Sequence, residues 1–287
     1  MVESKLIAEI GCNHKGDISI AFDMIKTLSN FCLVRYAKFQ KRNNKLLLGK
    51  EYFKPHPVPE NSYGNSYGEH RDFLEFSLEQ HSLLKKECER YNIIYSCSVW
   101  DIISAEEIIS LNPNFIKIPS AQNNNLELLN FLLKKFDGEV HISLGMTTKD
   151  ETDNIFKLFD KFNKLNKLIL YICTSEYPVD SKDLYLLEIK RIKKEYKGIK
   201  GVGFSGHHKG IAPDIAALTL GAEYIERHFT LDRTWKGTDH SASLEPDGIR
   251  RLQRDITEVS QALKVKEDTT KILDVEKEQR EKLKFKS

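Results

Sequence analysis

A chain of 287 residues that is 40% hydrophobic can bury one substantial core, and 44 basic against 42 acidic residues leave a formal net charge of +2. That balance argues against a nucleic-acid or membrane-surface binder and turns attention to small ligands. No apolar stretch reaches the roughly 18 residues of a membrane span, and no basic-then-apolar leader opens the chain, so a cytoplasmic protein is expected.

Along the chain, short β-branched apolar runs alternate with longer segments of helical period, the pattern of repeated βα units around a parallel sheet. The runs fall at about 6–10, 34–40, 93–98, 115–118, 140–144, 168–173, 201–205 and 224–226. Helical period or good helix formers occupy 21–29, 78–91, 104–110, 126–136, 152–163, 184–196 and 211–220. Eight strands each followed by a helix predict an α/β fold, a single-domain (β/α)8 TIM barrel over 1–263, with a doubly wound open sheet as the competing arrangement.

The last helix is expected over 246–263, where Asp247 can cap and Ile249, Leu252, Ile256, Val259 and Leu263 form a stripe. Residues 264–287 read as a charged tail or linker remnant. The stretch 42–71 breaks the rhythm with Pro55, Pro57, Pro59, Gly64, Gly68 and several tyrosines. Loops of this length are commonly functional, so it reads either as a lid over the barrel mouth or as a surface excursion packed by its own tyrosines. Five cysteines, odd in number and without Cys-x-x-Cys pairing, fit free thiols. Cys97 and Cys173 fall within strand-like runs, where buried packing is the expected role.

Polar residues gather at the C-terminal ends of the predicted strands, where barrel enzymes place their catalytic groups. In order they are Glu9, Lys38 with Gln40, Ser98 with Asp101, Lys117 with Ser120, Ser143, Ser175 with Tyr177, Ser205 with His207, and Glu226 with His228. Either lysine alone would ordinarily be a structural ion-pair partner, and either histidine a hydrogen-bonded core or rim residue. Together, two lysines and several hydroxyls suit a small, strongly anionic substrate such as an enol phosphate, because buried charges need a partner or a charged ligand. Glu9 sits in so apolar a run that it must be paired or functional.

His207 and His228 each follow an apolar run, and two such strand ends can converge on one divalent ion while leaving positions open for substrate oxygens. His208 is a rival ligand. Imidazole plus oxygen ligands would accept manganese, magnesium, zinc or cobalt. Gly201, Gly203 and Gly206 match half of a dinucleotide fingerprint, but the third glycine comes one residue early and the helix begins late, so nucleotide binding is not expected.

These residues resemble the sialic acid synthase (N-acetylneuraminate synthase) family, from about residue 5 to 263. The resemblance is carried by Ile7 to Gly16, Ala37 to Gln40, Phe115 to Ser120, Ser143 to Met146, Cys173 to Pro178, Gly203 to His207, Ile225 to Thr230 and Gly237 to His240, in that order. It implies a barrel enzyme that condenses phosphoenolpyruvate with N-acetylmannosamine or a related aldose and water, releasing phosphate by C–O cleavage. On the family pattern His207 and His228 would hold a divalent metal, usually Mn2+ with Mg2+ or Co2+ as substitutes. Lys38, Ser98, Lys117, Ser120, Ser143 and Ser205 would surround phosphoenolpyruvate, and Glu9 would orient water or move its proton.

Gln40, Gln122, Ser175, Tyr177, Glu226 and Asp239 would face the sugar. Gln122, Ser175 and Gly206 stand where the family often has glutamate, asparagine and aspartate, which leaves room for a different aldose. The family's small antifreeze-like C-terminal domain is not expected within 264–287, and a homodimer is an allowed assembly. The rival readings are a synthase of another phosphoenolpyruvate-derived keto acid, of the eight-carbon type, and a non-catalytic barrel subunit that binds a partner carrying the missing domain.

Overall fold

The computed structural model describes residues 5–285, so the parts of the predicted barrel and tail at 1–4 and 286–287 lie outside the described residues. Eight parallel strands pair in chain order: β1 (Lys5–Gly11), β2 (Tyr36–Lys41), β3 (Ile94–Val99), β4 (Phe115–Ile118), β5 (Glu139–Ser143), β6 (Leu168–Cys173), β7 (Gly201–Gly206) and β8 (Tyr224–His228). β8 pairs back onto β1, with Ile7 opposite Glu226 and Glu9 opposite His228, so the sheet is a closed barrel and not the open alternative.

The helices of the barrel wall are α1 (Ile18–Thr27), then, past α2 (Asn44–Leu48) and α3 (Tyr67–Phe73) in the insert, α4 (Leu78–Arg90), α5 (Ile102–Ser110), α6 (Leu126–Lys135), α7 (Lys149–Lys161), α8 (Glu188–Glu195), α9 (Ala212–Thr219) and α10 (Pro246–Ala262). Ser77 with Gln80 and Thr148 with Glu151 form capping boxes that satisfy the first amides of α4 and α7. Asp247 does not cap α10 as its sequence suggested. Pro246 fills the first helical turn, Glu245 takes the cap position without a side-chain bond, and Asp247 pairs one turn on with Arg251 at 2.7 Å.

The two-residue period of each strand sorts side chains between two cores. Outward positions such as Leu6, Ala8, Ile10, Phe39, Ile116, Ile118 and Leu170 join the helices in one continuous apolar sheath. Burying each such side chain contributes roughly 1.5–3 kcal/mol. Inward positions fill the barrel in layers. Ile7, Phe115, Ile169, Tyr171 and Tyr224 form a separate inner cluster, into which His141 stacks on Phe115 with its Nδ1 2.8 Å from the Tyr171 hydroxyl. Gly203 makes room for this layer, since a Cβ there would lie 2.5 Å from the Tyr171 ring. Above it, the inward positions turn from aromatic to charged.

The insert is folded and not a bare excursion. Asn43 caps α2, Ser66 caps α3, and the Tyr63 hydroxyl donates to the Lys236 carbonyl across the mouth at 2.5 Å. The tail is exposed at nearly every described position and carries α11 (Lys277–Leu283). No helix of the described residues is long and apolar enough to cross a membrane.

Candidate active site

Strand alternation carries Glu9, Lys38, Ser98, Lys117, Ser143, Ser205 and Glu226 to the barrel interior just above the aromatic layer, all of them buried. They line a cavity of about 470 Å³ that opens at the C-terminal ends of the strands. Lys38 Nζ contacts the Glu9 carboxylate, donates to Ser98 Oγ at 2.7 Å and lies 3.8 Å from Glu226. Lys117 Nζ reaches Glu226 at 2.9 Å and sits 3.7 Å above the Tyr171 ring, and Ser205 Oγ donates to Glu226 at 3.0 Å. Two lysines and two carboxyl groups therefore share one buried floor.

Their protonation is unequal. Burial pushes the Glu9 carboxyl up to about 7, with Glu226 adding to the effect and Lys38 opposing it. Burial acts the same way on Glu226, but Lys117 and Lys38 overcome it and hold that carboxyl well below the usual range. Burial lowers Lys117, only partly offset by Glu226. On Lys38 burial also pulls downward, yet Glu226 and Glu9 prevail and raise it. Glu226 is thus the ionised carboxylate of the pair, and near neutrality Glu9 is poised to take or give a proton.

At the mouth, His207 and His228 have ring centres 5.5 Å apart, and Tyr177 packs against them at 4.0 and 5.8 Å. His207 Nδ1 lies 3.0 Å from the Thr174 carbonyl, so this nitrogen carries a proton; burial pulls the imidazole down, but Cys173 and the Thr174 carbonyl prevail and raise it above its ordinary value, so Nε2 offers a lone pair only once the ring is deprotonated. His228 Nδ1 is buried without a hydrogen-bond partner. Burial brings the His228 imidazole down to about 4, so it is neutral at physiological pH. A metal–nitrogen bond of about 2.1 Å places an ion about 3.2 Å from a ring centre, so both rings can share one. Among the described residues no third His, Cys, Asp or Glu completes a metal-holding group with them. The donor set thus fits an open divalent site of the kind that leaves positions for substrate oxygens.

Gln40, Ser120, Ser175, Tyr177 and Asp239 also line the cavity, whereas Gln122 does not. The chain turns through a short 3-10 segment at Ser120–Gln122, and Gln122 Oε1 accepts instead from Asn125 Nδ2 at 3.0 Å. His208 is removed as a rival ligand: behind the sheet, its Nε2 lies 3.0 Å from Arg227 and 3.2 Å from Asp214. The glycine-rich stretch 201–206 is strand β7 itself and offers no phosphate-cradling loop.

Cys173 was read as packing and is instead a lining residue. Its inward position could have been found by counting two residues on from Tyr171, level with Ser205 across the ladder. Sequence reasoning also missed Arg42, His56, Tyr67, Arg71 and Trp100, which form the outer wall. Four of these five come from the insert, which favours the lid reading of 42–71. Their only sequence signal was the length of that loop.

A closed parallel barrel with buried lysines, carboxyls and two imidazoles gathered at its C-terminal mouth defines a barrel enzyme. The sequence profile of the NeuB family matches residues 24–268, and the chain belongs to this family. It is 38% identical over 258 residues to the N-acetylneuraminate-9-phosphate synthase of Mus musculus, covering 90% of this chain and 70% of that protein. Identity to the N,N'-diacetyllegionaminic acid synthase of Campylobacter jejuni is 30% over 266 residues, covering 92% and 78%. The crystal structure of the N-acetylneuraminic acid (sialic acid) synthetase from Leptospira borgpetersenii, solved with citrate, superposes with a TM-score of 0.81 at 26% identity, covering 99% of this chain and 93% of that one.

Proposed function

We propose that this chain condenses phosphoenolpyruvate with a 2-acetamido aldose, N-acetylmannosamine or a relative, and water, yielding a sialic-acid-type 2-keto-3-deoxy acid and phosphate by C–O cleavage. The observation that carries this reading is the buried floor, where Lys38 and Lys117 stand above a sealed aromatic layer beside a carboxyl, Glu9, near neutrality. The relatives named above, synthases of N-acetylneuraminate 9-phosphate, N,N'-diacetyllegionaminic acid and N-acetylneuraminic acid, support it.

Lys38 and Lys117, with the hydroxyls of Ser98, Ser143 and Ser205, neutralise the carboxylate and phosphate of the enol phosphate and fix its orientation. Carbon–carbon bond formation at the aldehyde leaves positive charge on the enol-phosphate carbon. Ionised Glu226 lies close to both lysines and stabilises that charge at short range. Glu9 removes a proton from the water that adds there, the aldose alkoxide formed with the new carbon–carbon bond gains one, and the hemiketal phosphate collapses to keto acid as its hydroxyl proton leaves with phosphate. His207 and His228 would hold a divalent cation, Mn2+ by preference, which when bound supplies Lewis acidity for an aldose carbonyl oxygen.

Phosphate release from phosphoenolpyruvate is expected only when aldose is also supplied, with a keto-acid product three carbons longer than the aldose by mass. Release independent of aldose, or silence across a broad aldose panel, sinks the reading and favours a non-catalytic subunit. Because Glu9 acts in its ionised form, kcat/KM is expected to fall about tenfold per pH unit below about 7. Glu9→Gln should remove that limb together with most of the activity. A profile that instead falls only above pH 7 would make Glu9 a proton donor.

A further inference from the structure

Behind β7 and β8 lies a group of buried charges that the floor chemistry does not use. Strand alternation turns Glu226 and His228 toward the cavity and Arg227, between them, outward. There Arg227 Nη1 donates to Asp214 Oδ2 at 2.5 Å and to the Gly210 carbonyl at 2.9 Å, and lies 3.0 Å from His208 Nε2. Its Nη2 donates to the His208 carbonyl at 2.7 Å. Arg227, Asp214 and His208 are all buried. Gly206 makes this packing possible, since a Cβ there would lie 2.7 Å from the His208 ring. Stability alone is a weak reason for such a cluster. Arg227 Nε, Asp214 Oδ1 and His208 Nδ1 have no hydrogen-bond partner, and a buried ion pair often does no better than apolar side chains of the same volume.

Arg227 also bridges the two strand ends that carry the imidazoles. Among the described residues, the ladder between β7 and β8 ends at Gly206 opposite Arg227, one residue short of His207 and of His228. Each of these histidines is tied on its far side. His207 Nδ1 meets the Thr174 carbonyl at 3.0 Å, and the His207 carbonyl accepts from the Val179 amide at 3.2 Å. His228 stands opposite Glu9 on β1, and its carbonyl accepts from the Leu244 amide at 2.8 Å. Across the gap, the guanidinium of the residue before His228 holds the backbone of the residue after His207. We infer that Arg227 is a positioning residue that fixes the separation of His207 and His228, so that both can hold one divalent cation. The inference rests on the metal reading above. Metal–nitrogen bonds tolerate only about 0.2 Å of error, so a gap left to the two outer anchors would cost affinity.

The test titrates the full chain with Mn2+ in the absence of substrates, reading the free ion by electron paramagnetic resonance. Melting curves and a calorimetric titration of phosphoenolpyruvate are run beside it. Arg227→Lys keeps a charge for Asp214 but offers one nitrogen in place of the fork, and cannot hold both carbonyls and the carboxylate at once. Arg227→Met/Asp214→Asn removes both charges so that neither is stranded, and either variant suffices if the other does not fold. Each should bind Mn2+ about 10–100-fold more weakly than the parent, the usual cost of removing a group that orients metal ligands. Phosphoenolpyruvate affinity, set at the lysine floor, should change little. Parental Mn2+ affinity in either folded variant overturns the positioning role and leaves the metal reading standing. A loss of phosphoenolpyruvate affinity as large as that for Mn2+ also overturns it, because it marks a general loosening of the barrel. A parent that binds no Mn2+ removes the metal reading itself, and this inference with it.

Discussion

Lys117→Met is expected to slow phosphate release from phosphoenolpyruvate by on the order of 10²–10³-fold, the usual effect of removing one preorganised group that stabilises transition-state charge. Methionine keeps the length and the contact with the Tyr171 ring but loses the charge. The substitution also strands Glu226, whose 2.9 Å partner disappears while Lys38 remains at 3.8 Å and Ser205 at 3.0 Å. The protein should therefore lose roughly 3 kcal/mol, toward the lower end for a broken buried pair because two partners are left. The double variant Lys117→Met/Glu226→Gln separates the effects: melting temperature should recover most of its loss, and activity should not. Single-variant activity within tenfold of the parent would remove Lys117 from the reaction.

His207→Ala and His228→Ala should each abolish metal-dependent turnover, by about 10³-fold or more if bound Lewis acidity is worth roughly 4 kcal/mol. The parent enzyme should likewise fall silent in excess chelator and recover on addition of Mn2+. A reading independent of activity is available, because a ligand at 100 times its Kd stabilises the folded state by about 2.7 kcal/mol. Mn2+ should thus raise the melting temperature of the parent and of neither variant. The variants themselves should fold, since both rings border the cavity and His228 Nδ1 gives up no bond when removed. Turnover undiminished in chelator would end the metal role, and a near-normal rate in one variant would reassign that ligand.

The barrel was legible because β-branched apolar runs alternate with segments of helical period and because eight such runs can be counted. Glu9, Lys38, Lys117 and Glu226 were readable as site groups from their place at the ends of apolar runs; the strand alternation turns them inward and Arg227, one position on from Glu226, outward to Asp214. The strand-end reading failed once the chain left the ladder. Gln122 lies in a 3-10 turn, where side-chain direction follows local hydrogen bonding and not sheet period. Arg42, His56 and Arg71 were invisible for a related reason: the insert has short, separately capped elements and no sustained period, and only tertiary folding brings them over the mouth. Cys173 was misjudged by residue type alone, because a cysteine in a strand is ordinarily packing while its register places it beside the serines of the cavity.

The aromatic layer that Gly203 accommodates has a further consequence. Tyr171, His141, Phe115 and Tyr224 pack across the barrel below the cavity, so its lysines stand deepest and the insert side chains nearest the mouth. Traffic through such a chamber forms a queue. A molecule seated on the lysines would then enter before, and leave after, one resting against the insert, and the second arrival would lie between the first and the mouth.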